Sequence, residues 1–183
     1  IGLAGLVRLL YLLWFMASPL YGYYFADHLY YRNWGMQIAN GDWLGQEAFE
    51  QGPLYAYLLA VAFRLGLSEA IVLGLQLLVG ISSSVLIYEC GRRLFDVKTA
   101  LLAALLTAVY GPLIFYECMV MKSFLLPVIT TGLLYCGLRY QVSLRPGWLW
   151  IAGAMIGVAC LIRENHLLFV IPLAGWVWWC GAG

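Results

Sequence analysis

The feature that most constrains this chain is a succession of long apolar runs, at residues 2–25, 70–91, 99–116, 119–140, 148–162 and 167–180. A helix that crosses the ~30 Å hydrocarbon core of a bilayer needs about 20 mostly apolar residues, because each residue advances it about 1.5 Å. The first four runs meet or approach that length, and the last two reach it by drawing on their polar flanks. Composition removes the aqueous alternatives: 64% of the residues are hydrophobic, 16% aromatic and only 10% charged, whereas a soluble domain is about a quarter charged. Disordered chains are poor in the aromatic and branched residues that abound here. The 10 basic and 9 acidic residues leave a net charge of +1, so no basic field points to nucleic acid. The expectation is an all-α, polytopic transmembrane helical bundle, a single domain over residues 1–183 and a multi-pass integral membrane protein.

The chain opens on Ile1 and stops at Gly183 directly after an apolar run, as expected of the N-terminal portion of a longer protein. The run 2–25 exceeds the ~7–15-residue apolar core of a signal peptide and shows no small-residue cleavage site, so it reads as a retained anchor. Cys90, Cys118, Cys136, Cys160 and Cys180 form no CxxC pair and mostly lie within apolar runs. They read as small buried hydrophobes rather than a disulfide framework or zinc site.

Charge sets the expected topology. Residues 54–67 are apolar but short, with Pro53 at a helix-start position and Arg64 near the end. If they spanned, Arg92, Arg93 and Lys98 would face outward. If they lie in the interface, those three face the cytoplasm together with Arg139 and Arg145, which the excess of Lys and Arg on cytoplasmic loops favours. The N-terminus is then inside and the first loop outside. The outer segments carry Asp27, Asp42, Glu47, Glu50, Glu69, Glu117 and Glu164 against Arg32, Arg64, Lys122 and Arg163. The outer loop 26–67 is expected to hold interfacial helices. Residues 27–40 form one of them, with Tyr30, Trp34 and Ile38 recurring on one side, and Asn40-Gly41-Asp42 marks a turn. The spacing of Gly153 and Gly157 predicts close helix approach. Ser82, Ser83 and Ser84 are expected to bond back to helix carbonyls.

An ionisable group at a helix centre in the membrane costs about 2.5–3.5 kcal/mol, so each one needs an account. Asp27 and His28 sit at the outer exit of the first run, Glu117 and Lys122 flank the next outer turn, and Arg163-Glu164-Asn165-His166 fills the third. Structural roles exist for all of them: Asp27 as a helix cap, Glu117 and Lys122 as a surface ion pair, the last group as a solvated loop. Under this topology, however, all three turns meet at one outer rim. A carboxylate facing two or three cations there could bind an anionic headgroup and activate a nucleophile beside it.

The segment Asp27-His28-Leu-Tyr-Tyr-Arg-Asn-Trp-Gly-Met-Gln-Ile-Ala-Asn-Gly-Asp42-Trp43, followed by Gly52-Pro53-Leu54-Tyr55-Ala-Tyr57, resembles the first outer loop of GT-C membrane glycosyltransferases. The group it is most similar to holds the dolichyl-phosphate-mannose protein mannosyltransferases and the aminoarabinose transferases (glycosyltransferase families 39 and 83). Cys90-Gly-Arg-Arg-Leu-Phe-Asp96 resembles an inner loop of that group, and Leu161-Ile-Arg163-Glu-Asn165-His-Leu-Leu-Phe-Val-Ile-Pro172 a later outer turn. Members often carry Asp-Glu in the first loop, where this chain has Asp27-His28.

The resemblance implies transfer of a sugar from a polyprenyl-phosphate-linked donor to a protein, lipid or glycan acceptor at the periplasmic or lumenal face. It places Asp27 as the catalytic base, taking the proton of the attacking hydroxyl. The leaving group is already a phosphate, so cations suffice in place of a general acid. Lys122 and Arg163 are the candidates for the phosphate, with Glu117 orienting Lys122 or the sugar, and Arg32 and His28 as further donor-site candidates. Tyr30, Tyr31, Trp34 and Trp43 would stack on sugars or anchor the interface, and grooves between helices would take the prenyl tail. No all-protein metal cage is spelled out, and Asp27 with Glu117 would supply only part of a divalent-cation site. The competing readings are a transporter, which would place charges near the bilayer midplane in interrupted helices, and a non-catalytic assembly subunit.

Overall fold

The structure, a computed structural model, describes residues 1–44 and 49–181. Glu47, expected among the outer charges, lies outside them. Every regular element among the described residues is helical: α1 (Gly2–Met16), α2 (Ala26–Ala39), α3 (Leu54–Arg64), α4 (Glu69–Leu94), α5 (Val97–Ala108), α6 (Gly111–Glu117), α7 (Leu125–Ser143), α8 (Gly147–Cys160) and α9 (Val170–Gly181). Short 3₁₀ turns at Lys122–Phe124 and Glu164–Phe169 lead into α7 and α9. The all-α, membrane-type fold expected from the sequence is what forms.

The centre is α4, whose 26 residues make it about 39 Å long. It packs against α1, α5, α6 and α7, while α8 covers the far side of α7. It is the one helix among the described residues that is long and apolar enough to cross a bilayer by itself, and α5 with α6 make a second candidate bent by 51°. The apolar run expected as one helix over residues 99–116 is thus two helices. Gly111 opens α6 with Pro112 in its first turn, so the ring of Pro112 cannot continue α5 through that point. The run 2–25 is likewise not one helix. It ends at Met16 because Pro19 disfavours helical backbone at Ser18, and the chain turns through residues 17–25. The run 119–140 is helical only from Lys122, and the run 167–180 begins in a 3₁₀ turn.

The outer loop folds as a helical hairpin, α2 against α3. The buried line of α2 is His28, Tyr31, Gly35 and Ile38, with Tyr30 and Trp34 only partly covered. On α3, Tyr55, Ala56, Leu59 and Ala60 face inward while Leu58, Val61 and Leu65 are exposed, a two-sided pattern at helical spacing. One core joins α1, α2, α3 and α4 to residues 118–124, and a second lies between α7 and α8 and ends at Ile162. The cysteines are free, Cys90, Cys118 and Cys136 being buried. Gly153 and Gly157 do not mediate a close approach: a side-chain carbon at either would meet open space, because α8 turns Ala152, Ile156 and Ala159 inward instead. Ser82 bonds back to the Val79 carbonyl, whereas the buried Ser83 and Ser84 hydroxyls have no partner.

A polar rim built from three separated segments

Three stretches distant in sequence meet at one end of the bundle. The Leu54 amide donates to the Leu161 carbonyl at 3.1 Å, fastening the start of α3 to the end of α8. Beside this bond Gly52 lies so close to Ile162 that a side-chain carbon there would fall 2.2 Å from the Ile162 carbonyl oxygen. Only glycine allows the two backbones to touch. From the third stretch Lys122, itself buried, donates its ammonium to Gln51 Oε1 at 2.5 Å and lies 5.4 Å from the Tyr31 ring centre. Tyr31, with no exposed surface, brings its hydroxyl within 3.4 Å of both Gln51 Oε1 and the Gly52 carbonyl.

Asp27 stands one helical turn before Tyr31, exposed at the mouth of this arrangement. The N-cap of α2 is Phe25, so Asp27 is not the helix cap its position suggested. Ala26 carries a left-handed φ of 44°, a conformation that non-glycine residues hold only where the surroundings enforce it, and it turns the chain into α2 immediately before the carboxylate.

The electrostatics show which charges gather. Burial holds the Lys122 ammonium below the ordinary lysine range, Arg163 lowers it further, and Asp27 and Glu164 oppose both. Burial also pushes the Tyr31 phenol up, Asp27 and Tyr30 reinforcing the shift and Arg163 opposing it. The charges of Asp27 and Arg163 are thus both felt at Tyr31 and at Lys122. Arg163 and Asn165 are exposed, and His166 stacks on Phe169 at 5.5 Å with Nδ1 at 3.2 Å from the Arg163 carbonyl.

The other candidates lie elsewhere. Glu117 is fully buried and bound to Arg8, with Arg8 Nε and Nη2 donating to its two oxygens at 2.7 and 3.0 Å. Its carboxylate is therefore committed inward and does not orient Lys122, because α6 ends with that side chain aimed into the bundle. Arg32 and His28 belong to a separate cluster on the α4 side of α2. Arg32 lies 4.5 Å over the Tyr24 ring and 3.8 Å from Glu69 Oε2, and the Tyr24 hydroxyl donates to the same oxygen. His28 is buried against Tyr24, and neither ring nitrogen has a partner. Trp43 is exposed, with Arg64 5.1 Å over its ring, while Tyr31 is core, edge-on to Tyr55 at 5.4 Å. No three His, Cys, Asp or Glu side chains gather as a metal cluster among the described residues.

Burial holds the His28 imidazole below its ordinary value; Glu69 raises it and Arg32 lowers it. The folded state thus favours neutral His28, while the unfolded chain takes up its proton near pH 6.5. Stability is fully present above about pH 6.5 and is lost as pH falls through the lower folded value. Melting temperatures in detergent should therefore fall on acidification below that point, and His28→Phe should flatten this part of the profile. An unchanged slope would assign the acid sensitivity to other groups.

Gln51, Arg8 and Gln76 drew no functional notice in the sequence, a polar residue within an apolar run being the available signal for the last two. Gly52 and Tyr55 entered only as members of the segment that resembles the family's first outer loop.

The protein is thus an all-α, membrane-type bundle with a polar rim at one end, where Lys122 meets Gln51 and Tyr31. The chain belongs to the dolichyl-phosphate-mannose-protein mannosyltransferase family, which matches residues 50–182 and makes it a glycosyltransferase-family protein. The match takes in Lys122 and Arg163, whereas Asp27 precedes it. No curated protein and no solved structure matches the chain.

Proposed function

We propose that the chain serves as a membrane glycosyltransferase that moves a sugar from a polyprenyl-phosphate donor to an acceptor hydroxyl at the outer face. The supporting observation is the packing of three separated segments at one end of the bundle: Lys122 bonds Gln51 and lies over Tyr31, one turn past Asp27, while Gly52 and Leu54 touch Ile162 and Leu161 just before Arg163. Lys122 and Arg163 hold the donor phosphate, whose negative charge restores the ammonium that burial disfavours. Asp27 takes the proton of the acceptor hydroxyl as its oxygen bonds to the anomeric carbon. The bond from that carbon to the phosphate oxygen breaks, and the polyprenyl phosphate leaves with its charge matched by the two cations. One carboxylate is enough, since the leaving group needs no proton. The reading places the protein as a multi-pass enzyme of the cytoplasmic membrane with this rim facing the periplasm.

A long-chain donor also needs an apolar berth. The cleft of about 200 Å³ between α7, α8 and α9, lined by Leu133, Ile156, Phe169, Pro172 and Trp176, begins six residues past Arg163 at Phe169 and suits a prenyl tail. The same contacts serve a transporter poorly, because the ionisable groups of the rim sit at helix ends rather than at interrupted mid-helix positions.

The test is incubation of the full-length protein with polyprenyl-phosphate sugars labelled in the sugar, followed by a search for labelled product. Lys122→Gln and Arg163→Gln should each weaken donor binding about tenfold or more, the loss expected for a charge-assisted contact. Unchanged affinity in both variants would place the phosphate elsewhere.

A further inference from the structure

Lys122 follows a segment, residues 118–120, that is almost completely buried. The Cys118 and Met119 amides bond back into α6, and two side chains from beneath tie this segment and the end of α6 in place. Gln76 of α4 donates Nε2 to the Glu117 carbonyl at 2.8 Å and to the Met119 carbonyl at 2.9 Å, and its Oε1 accepts from the Tyr55 hydroxyl. Its carboxamide is therefore fully used, and it ties the approach to Lys122 both to α4 and to α3. The second tie is Arg8. Besides binding Glu117 it donates to the Ala108 carbonyl at 3.2 Å and the Gly80 carbonyl at 3.4 Å, and the Glu117 carboxylate lies where a side-chain carbon of residue 80 would be. Tyr55 also packs edge-on to Tyr31 and to Phe124, at 5.4 and 5.7 Å. The two aromatic residues that flank Lys122 thus rest on the ring whose hydroxyl orients Gln76.

We propose that Gln76 is a positioning residue for donor binding: it fixes residues 117–119 so that the Lys122 ammonium stands at the rim beside Gln51 and Tyr31, with Arg8–Glu117 as its second anchor. The inference rests on the reading of Lys122 as a phosphate-binding cation. Gln76 does not touch the donor. Its whole effect on the donor passes through Lys122.

A double-mutant cycle on the full-length protein in detergent tests this, with equilibrium binding of undecaprenyl phosphate as the readout so that no sugar need be known. Lys122→Gln should weaken binding about tenfold or more, and Gln76→Leu should weaken it by a comparable factor. The double variant should bind no more weakly than Lys122→Gln alone, a result that a merely structural loss would not give. Wild-type affinity in Gln76→Leu, or a loss that multiplies in full with that of Lys122→Gln, overturns the inference. Where Gln76→Leu does not fold, Tyr55→Phe removes only the hydroxyl that holds the carboxamide. It should produce a smaller loss that vanishes in the Lys122→Gln background, and wild-type affinity there overturns the inference as well. Should Lys122→Gln itself bind as wild type, the phosphate reading fails and carries this inference down with it, a result distinct from the others.

Discussion

Replacing Asp27 with Asn should lower turnover about 10²–10⁴-fold, the usual contribution of a positioned general base, while donor affinity stays close to wild type. The two side chains have the same shape, but an amide cannot take a proton from an attacking hydroxyl. Asp27 is well placed for so clean a test. It is exposed, it does not cap α2, and the structure gives it no part in the core, so the exchange should shift stability by no more than about 0.5 kcal/mol. The measurement is the initial rate of labelled sugar transfer at saturating donor, with donor binding followed in parallel. Substantial remaining turnover removes Asp27 from the chemistry. Loss of donor binding instead of turnover would make it part of the phosphate site.

The largest expected effect on stability belongs to the pair beneath the rim. Arg8 and Glu117 have no exposed side-chain surface. Removing one member strands a charge in the interior, so Glu117→Ala should destabilise the protein by about 3–5 kcal/mol. Exchanging both for apolar residues of similar size, Arg8→Met with Glu117→Leu, should be much milder than the single change, because neither charge then remains. Thermal unfolding in detergent with all three variants decides it. A double variant as unstable as Glu117→Ala would show that the pair contributes more than mutual neutralisation.

Much of this was legible in the sequence, and the exceptions have physical causes. The apolar runs announced an all-α, membrane-type protein, and of the polar turns expected to meet, those around Gln51, Lys122 and Ile162 do pack together at one end of the bundle. Helix ends were read less well. The breaks after Met16 and before Gly111 are written in Pro19 and in Gly111-Pro112, but a hydropathy run passes over a single proline in either place. The role of Glu117 was out of reach for another reason. Its partner Arg8 is 109 residues away, and Glu117 looked instead like a partner of the nearby Lys122. Pairing is a property of the packed bundle. Gln51 and Gly52 were equally opaque, since a backbone contact with Ile162 leaves no mark on hydropathy or charge.

The link between Arg8 and the end of α6 bears on how the protein is made. An α1 that emerges early from the ribosome holds a lone guanidinium until Glu117 has been added. At about 5–20 residues per second this wait lasts about 5–20 s. Through that interval the first helix cannot settle at its final depth without an unmatched cation. Its placement is completed only when α6 arrives with Glu117, so the order of biosynthesis is built into the order of assembly.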